Sequence, residues 1–203
     1  MSKGWIVAGA ELRIPWGSSL AAHRMVIVGN ARGELVRELN GLASWHDAAG
    51  GGWRHKPIGY LPSDRLRGYD TTTHPRTWLP VNGVASGSRV LGPAIESGAV
   101  RVLADGLSEA DVAAVLAPGL EAMRRINALS KGPEGGAGLP YPFLGFGRNS
   151  NSFFSTMLRV MDLKEPAFAR PAAIVPGAGG LLLPVNVLEE IRAGATIPAA
   201  ARQ

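Results

Sequence analysis

Alternating polar and apolar residues in the first forty positions predict β structure. A short β-branched run at 25–28 is followed by the turn sequence of 29–33, and residues 34–40 then alternate polar with apolar side chains. This pattern predicts a β-hairpin over about 23–40. An earlier apolar stretch, at about 4–14, is predicted to pair with it.

The hydrophobic period changes after a further alternating segment at 99–103, which predicts another strand. Ser108 is followed by acidic residues and then by apolar residues at helical spacing, so it is predicted to cap a helix over about 109–129. We expect Pro118 to interrupt this helix, because proline lacks a backbone N–H and clashes with the preceding turn.

Two further helices are predicted after a glycine- and proline-rich loop at 131–148. The first begins near Asn149 or Ser150, and the second covers 185–193. Helical spacing indicates that the first of them buries one face, formed by Phe153, Phe154, Met157, Leu158 and Met161. Together these elements predict one α+β domain over 1–203, with a small antiparallel sheet packed against two or three helices.

The segment at about 41–98 has a different composition from the rest of the chain. It is rich in Gly, Pro, Trp, His and Arg, which predicts a loop-rich insertion that crosses the core and covers part of a cleft. Its aromatic side chains are candidates for substrate contact or for simple packing, and they are Trp53, Tyr60, Tyr69 and Trp78.

Composition narrows the class of protein. Hydrophobic residues make up 46% and charged residues 18% of the 203 positions, so the chain has enough apolar surface to fold. The absence of cysteine excludes disulfides, thiolate metal sites and a cysteine nucleophile. A net charge of +5 suits an anionic target, but the basic residues are scattered, so nucleic acid is not an expected partner.

No hydrophobic stretch has the composition of an export signal or of a membrane-spanning helix. The apolar run at 5–10 ends at Glu11, and the uncharged stretch 171–188 is broken by prolines and glycines. We therefore expect a soluble protein with no integral membrane segment and no classical signal peptide. It would be cytoplasmic or exported by a non-classical route.

The sequence carries no established cofactor motif. Residues 145–150 superficially resemble a glycine-rich phosphate loop, but no lysine follows them and Phe146 would occupy the space of the phosphate. His46, His55 and His74 match no metal-ligand spacing. We expect neither a cofactor nor a metal site.

A candidate nucleophile lies at the predicted start of a helix. Backbone N–H groups around Asn149, Ser150 and Asn151 can stabilise both a deprotonated Ser150 hydroxyl and a developing oxyanion, because the first N–H groups of a helix lack internal partners. The alternative is that these residues serve only to cap the helix, for which Ser and Asn are preferred.

A candidate base lies at the start of the predicted hairpin. His23 can take the proton of the serine if the two segments meet. If residues 30–33 form a four-residue turn, His23 lies opposite Asn40, and Glu38 shares the same face of the sheet. Either side chain can then orient the imidazole, unless both are ordinary polar residues on a solvated strand.

The order of these residues resembles the circularly permuted papain-like superfamily, which includes the lecithin:retinol acyltransferase-like proteins and permuted relatives of the NlpC-type peptidases. In that pattern a histidine precedes a helix that begins with Asn-Cys-x-x-Phe. His23 and the run Asn-Ser-Asn-Ser-Phe at 149–153 match it and place Ser150 at the cysteine position. Residues 147–153 also resemble the G-x-N-S-N-[ST]-F run of a serine-bearing bacterial subgroup. The similarity covers roughly half of the chain.

The resemblance implies a permuted papain-like fold and an acyl hydrolase, either an amidase or peptidase or a lipid esterase. Peptidoglycan amides or lipid esters are the implied substrates, and a cognate protein partner is compatible with a bacterial effector. A serine at this position depends fully on a base and an oxyanion site, because its hydroxyl stays protonated at neutral pH. The alternatives are a catalytically inactive binding domain that retains the cleft and a structural component of a phage or secretion assembly.

Overall fold

The computed structural model describes residues 4–16, 19–56, 58–81, 84, 89–129, 138–168 and 174–195. This part of the chain folds into an antiparallel sheet and several helices. The strands of this part of the chain are β1 Trp5–Trp16, β2 Ser19–Gly29, β3 Leu35–Asp47, β4 Gly52–Lys56, β5 Arg65–Asp70, β6 Val100–Leu107 and β7 Leu139–Pro140. Its α-helices are α1 Gly92–Glu96, α2 Glu109–Ala128, α3 Ser150–Val160 and α4 Val185–Ala193. Two short 3-10 turns lie at Pro75–Thr77 and Phe143–Gly145.

The sheet has the strand order β6-β1-β2-β3-β5-β7, and β4 pairs with β3 outside this path. Helices α2, α3 and α4 pack on one face around a core that includes Val26, Leu39 and Phe153. The short helix α1 packs on the other face beside Met25 and Ile27. The predicted α+β class with an antiparallel sheet packed against helices is therefore confirmed. Within the described ranges, no helix combines the length and apolarity needed to span a bilayer.

The predicted hairpin is present as β2 and β3, but its predicted register is wrong. Val26 pairs with Leu39 and Ile27 with Glu38, and the ladder ends there, so His23 has no partner on β3. The turn does not cover 30–33, because the N–H of Asn30 bonds the carbonyl of Glu34 and only residues 31–33 lie between them, and an irregularity falls between Val28 and Gly29. The different turn and the extra residue that β3 carries at this irregularity shift the whole pairing.

An opening in the sheet separates β2 from β3 beyond Val26. The first half of β2 stays paired with β1, whereas the same edge of β3 pairs with β4 from Ala43 onward. Between these two ladders the edge of β3 at 40–42 faces neither strand, although its other edge pairs with β5. This opening is where the beginning of α3 meets the sheet.

Helix α3 lies close to the sheet because two glycines leave room for it. Gly41 and Gly68 are register partners on β3 and β5. A Cβ built on Gly41 would lie 2.5 Å from the Cβ of Phe153, and one on Gly68 would lie 2.6 Å from its Cε2. The predicted buried face of α3 is confirmed, since all five of its apolar residues are almost fully buried.

Helix α2 begins as predicted and continues through its proline. Ser108 and Asp111 form a reciprocal capping box at its start. The expected interruption at Pro118 is wrong, because the helix runs unbroken from 109 to 128. Proline removes only one backbone hydrogen bond, and the buried Pro118 and Gly119 pack against the core at that point.

The structure differs from the expectation of a loop-rich insertion at 41–98. Strand β3 runs on to Asp47, and β5 lies within the sheet between β3 and β7. Polar–apolar alternation is present in β5, where Leu66 is buried and Arg65 and Arg67 are half-buried, but Gly68 interrupts the apolar series. A glycine at a core-facing position removes the signal on which strand prediction depends.

Candidate active site

The N-terminus of α3 is capped by a reciprocal pair that does not include Ser150. The Asn149 Oδ1 atom accepts the N–H groups of Asn151 at 2.8 Å and Ser152 at 3.4 Å. In return, the Ser152 hydroxyl accepts the N–H of Asn149 at 3.3 Å. Asn149 and Ser152 therefore cap the helix. The Ser150 side chain takes no part in the cap and can serve another purpose.

Asn151 attaches the start of α3 to β2 on both sides of His23. Its Oδ1 accepts the N–H of Arg24 at 2.9 Å, and its Nδ2 donates to the carbonyl of Ala22 at 2.9 Å. These are the two backbone groups that β2 would otherwise present to a neighbouring strand in the opening. The amide thus replaces a strand and brings the helix start, with Ser150, beside His23.

A segment near the C-terminus covers the same helix start. The carbonyl of Pro176 accepts Nδ2 of both Asn149 and Asn151 at 3.0 Å. The carbonyl of Gly177 accepts the Ser152 hydroxyl at 2.8 Å, and a Cβ on Gly177 would lie 2.5 Å from Asn149 Oδ1. No periodic pattern in the sequence predicts that this segment covers the helix start. Gly177 is the residue type that its positive φ of 74° favours.

His23 and Ser150 line one cavity of about 180 Å³. Most of the other wall is apolar, and its larger side chains are Ile14, Ile58, Leu144, Phe146, Ile174 and Pro176. The cavity wall includes Asn149 and Asn151 as well, although their side-chain amides are occupied by the hydrogen bonds described above. A polar pair in an apolar enclosure is the usual composition of a small-molecule site.

A hydrogen-bonded chain fixes the imidazole of His23. The Asn40 Nδ2 donates to Glu38 Oε2 at 2.8 Å and to the carbonyl of Thr77 at 3.3 Å. Both partners accept, so the Asn40 Oδ1 must face His23 Nε2, which lies 3.3 Å away. The Nε2 atom consequently carries the proton and donates it to Asn40, and Nδ1 is left as the basic nitrogen.

The protonation states of this chain follow from burial. Burial lowers the pKa of His23 from 6.5 to about 4, against the opposing effect of the hydrogen bond to Asn40. The imidazole is therefore neutral near pH 7, as a general base must be. Burial raises the pKa of Glu38 to about 7, although the Leu79 N–H and the Asn40 amide favour its charged form. Glu38 Oε2 accepts the Leu79 N–H at 3.0 Å.

Tyr141 is a site residue that sequence patterns did not reveal. It lines the cavity, and its hydroxyl forms hydrogen bonds with both the backbone N–H and the side chain of Ser150. Burial raises the pKa of Tyr141 above its ordinary value, so the phenol stays protonated and able to donate. Its backbone is fixed by the bond from its N–H to the carbonyl of Asp64, at 2.9 Å. No local pattern in the glycine- and proline-rich loop indicated it.

The structure brings most of the sequence-derived site residues together. His23, Asn40 and Glu38 form one hydrogen-bonded chain. Asn40 and Glu38 were predicted as alternative groups that orient the imidazole. In the structure Asn40 contacts the imidazole and Glu38 contacts Asn40. The four aromatic residues proposed from 41–98 are not in the described wall of this cavity. Two of them, Trp53 and Tyr69, line a separate groove. The described residues contain no group of three His, Asp or Glu side chains that could hold a metal ion.

Comparisons of the chain with protein-family models, with curated proteins and with solved structures find no match.

Proposed function

We propose that this protein is an acyl hydrolase in which Ser150 is the nucleophile and His23 the general base. The observation that carries the proposal is the single cavity lined by both side chains, with His23 held in one tautomer by Asn40. A buried nucleophile, a neutral base and a group that orients the base are the parts that acyl transfer requires. The resemblance of residues 147–153 and His23 to the permuted papain-like superfamily supports the same proposal.

In the proposed reaction, Ser150 Oγ attacks the acyl carbon while His23 Nδ1 takes its proton. The resulting tetrahedral intermediate collapses when the bond from carbon to the leaving oxygen or nitrogen breaks, and His23 returns the proton to that atom. Water then attacks the Ser150 ester with the same proton transfers and releases the acid. Asn40 and Glu38 keep Nε2 protonated throughout.

Two donors are available for the oxyanion in this proposal. They are the backbone N–H of Ser150 and the hydroxyl of Tyr141, which bond to each other in the cavity and would exchange that bond for bonds to the oxyanion. The N–H groups of Asn151 and Ser152 are not available, because both bond to the Asn149 side chain. Asn149 and Asn151 were predicted to help to hold the oxyanion at the helix start. In this proposal they position Ser150 instead.

A binding domain that retains the cleft without catalysis is the second candidate. The hydrogen bond between the hydroxyls of Ser150 and Tyr141 favours it, because Ser150 then has a structural partner of its own. Apolar lining favours an uncharged acyl group over the charged groups of peptidoglycan in either case. The two candidates differ in whether a covalent adduct forms.

A fluorophosphonate probe is expected to form a covalent adduct on Ser150. The test uses intact-protein mass spectrometry on wild type, Ser150→Ala and His23→Ala, with Ser155→Ala as the matched control. Ser155 is similarly buried on the same helix, where its hydroxyl accepts the Gly179 N–H. Adducts in wild type and Ser155→Ala alone support the proposal. No adduct in any of the four folded proteins favours the binding domain.

A further inference from the structure

Exposed apolar side chains are concentrated on two loops that contribute residues to the cavity wall. Of the eight large hydrophobic residues exposed in the described chain, half lie on two loops, at 58–64 and 141–148. We call these four the apolar rim: Tyr60, Leu61, Phe143 and Phe146, exposed by 53%, 46%, 69% and 61%. An exposed apolar group of this kind, on two loops joined to each other, is typical of an interaction surface.

The rim is held in a fixed geometry. The two loops are joined by a hydrogen bond from the N–H of Leu144 to the carbonyl of Gly59, at 3.0 Å. The Asp64 carboxylate accepts the N–H groups of Tyr60 and Leu61, both at 2.8 Å. Tyr141 packs so tightly on Gly59 that a Cβ there would lie 2.3 Å from its ring. The aromatic side chains are therefore displayed on a rigid support.

The rim continues into the candidate active site. Phe146 is both exposed at the surface and part of the cavity wall, where it lies with Leu144 and Ile58. A ligand held against the rim would therefore meet an apolar path toward Ser150. An apolar surface separate from the cavity would not provide such a path.

The two loops of the rim carry basic side chains but, within 58–66 and 138–152, no exposed acidic ones. Arg65 and Arg148 lie on or next to the same loops. The one acid within 58–66 and 138–152 is Asp64, which is fully buried and paired with Lys56 at 2.6 Å. The local charge is therefore positive, as is the net charge of the chain.

We propose that the apolar rim docks on the surface of an anionic phospholipid bilayer. Phenylalanine side chains enter the boundary between headgroups and acyl chains, and the basic residues face the phosphates. A bilayer provides hydrocarbon and negative charge but no fixed set of hydrogen-bond partners. The apolar rim and the basic residues beside it complement these properties. The further consequence, that a lipid acyl ester reaches Ser150 from the docked state, rests on the proposed function.

The test is flotation with phosphatidylglycerol-containing vesicles and with pure phosphatidylcholine vesicles. Wild type is expected to bind the anionic vesicles, and Phe143→Ser/Phe146→Ser to bind at least about ten-fold more weakly because two apolar anchors are lost. The matched control is Val102→Ser/Val185→Ser, which removes two exposed apolar residues elsewhere and is expected to bind as wild type does. Circular dichroism establishes that each variant is folded.

Three results would overturn docking through the rim. They are no binding of wild type to anionic vesicles, equal losses in the rim and control variants, and binding that depends on salt but not on the phenylalanines. Rim-dependent dimers in sedimentation velocity without vesicle binding would assign the surface to a second copy instead. Ser150→Ala is expected to bind vesicles like wild type, so a failure of the catalytic proposal leaves this test intact.

Discussion

Replacement of His23 by glutamine is expected to lower the rate at which an activated ester acylates Ser150 by about 10²–10⁴-fold. Glutamine can still donate to Asn40 but has no basic nitrogen to take the serine proton. The measurement is the initial rate of ester turnover, or of adduct formation, at neutral pH. His46→Gln is the matched control, because His46 is an exposed histidine on β3 outside the described cavity wall.

The pH dependence of the same rate gives a second readout of His23. Because burial lowers its pKa to about 4, the rate of wild type should fall as the pH drops through about 4 and not near 6.5. Unfolded chains take up the proton at about 6.5, so wild type also loses stability as the pH falls from there toward 4. Rates of His23→Gln within about two-fold of wild type would contradict the assigned role.

Replacement of Asn151 by leucine is expected to destabilise the protein by about 3 kcal/mol or more. The side chain makes three hydrogen bonds, and its loss leaves the N–H of Arg24 and the carbonyls of Ala22 and Pro176 without that partner. Acylation of Ser150 should also be lost, because the helix start and His23 are no longer held together.

Urea unfolding followed by circular dichroism measures this effect. Ser155→Ala is the comparison within α3, and its expected cost is about 1 kcal/mol because it loses a single hydrogen bond to Gly179. A cost for Asn151→Leu no larger than that of Ser155→Ala would show that the amide does not attach α3 to β2.

Local sequence signals were sufficient for most of the elements but not for their arrangement. Capping residues and helical spacing predicted α2 and α3, because these signals depend only on near neighbours. The register of β2 and β3 depended on an irregularity between Val28 and Gly29 that alternation does not reveal. Strand β5, which lies in the segment predicted as a loop-rich insertion, was not predicted because Gly68 interrupts its polar–apolar alternation.

The same distinction applies to the candidate site. His23 and Ser150 could be selected from residue type and from the helix start, but their meeting depends on Asn151, which reaches β2 across more than a hundred residues. Tyr141 and Pro176 come from glycine- and proline-rich segments, and bonds to distant segments hold them at the site, from the Tyr141 N–H to the carbonyl of Asp64 and from Asn149 to the carbonyl of Pro176. A site made by contacts between distant segments has no periodic pattern in the sequence.

The pairing of Ser150 with His23 is tested most directly in the Ser150→Cys variant, whose thiol is the only one in a chain without cysteine. The measurement is the pH midpoint of its alkylation by iodoacetamide, compared with that of Ser155→Cys. Our account predicts a midpoint well below the ordinary thiol value of about 8.5 for Ser150→Cys, because the helix start stabilises the thiolate and His23 Nδ1 can take the thiol proton, which forms a thiolate–imidazolium pair. Adding His23→Gln should raise it again. Equal midpoints for the two thiols, or no response to His23→Gln, would contradict the pairing.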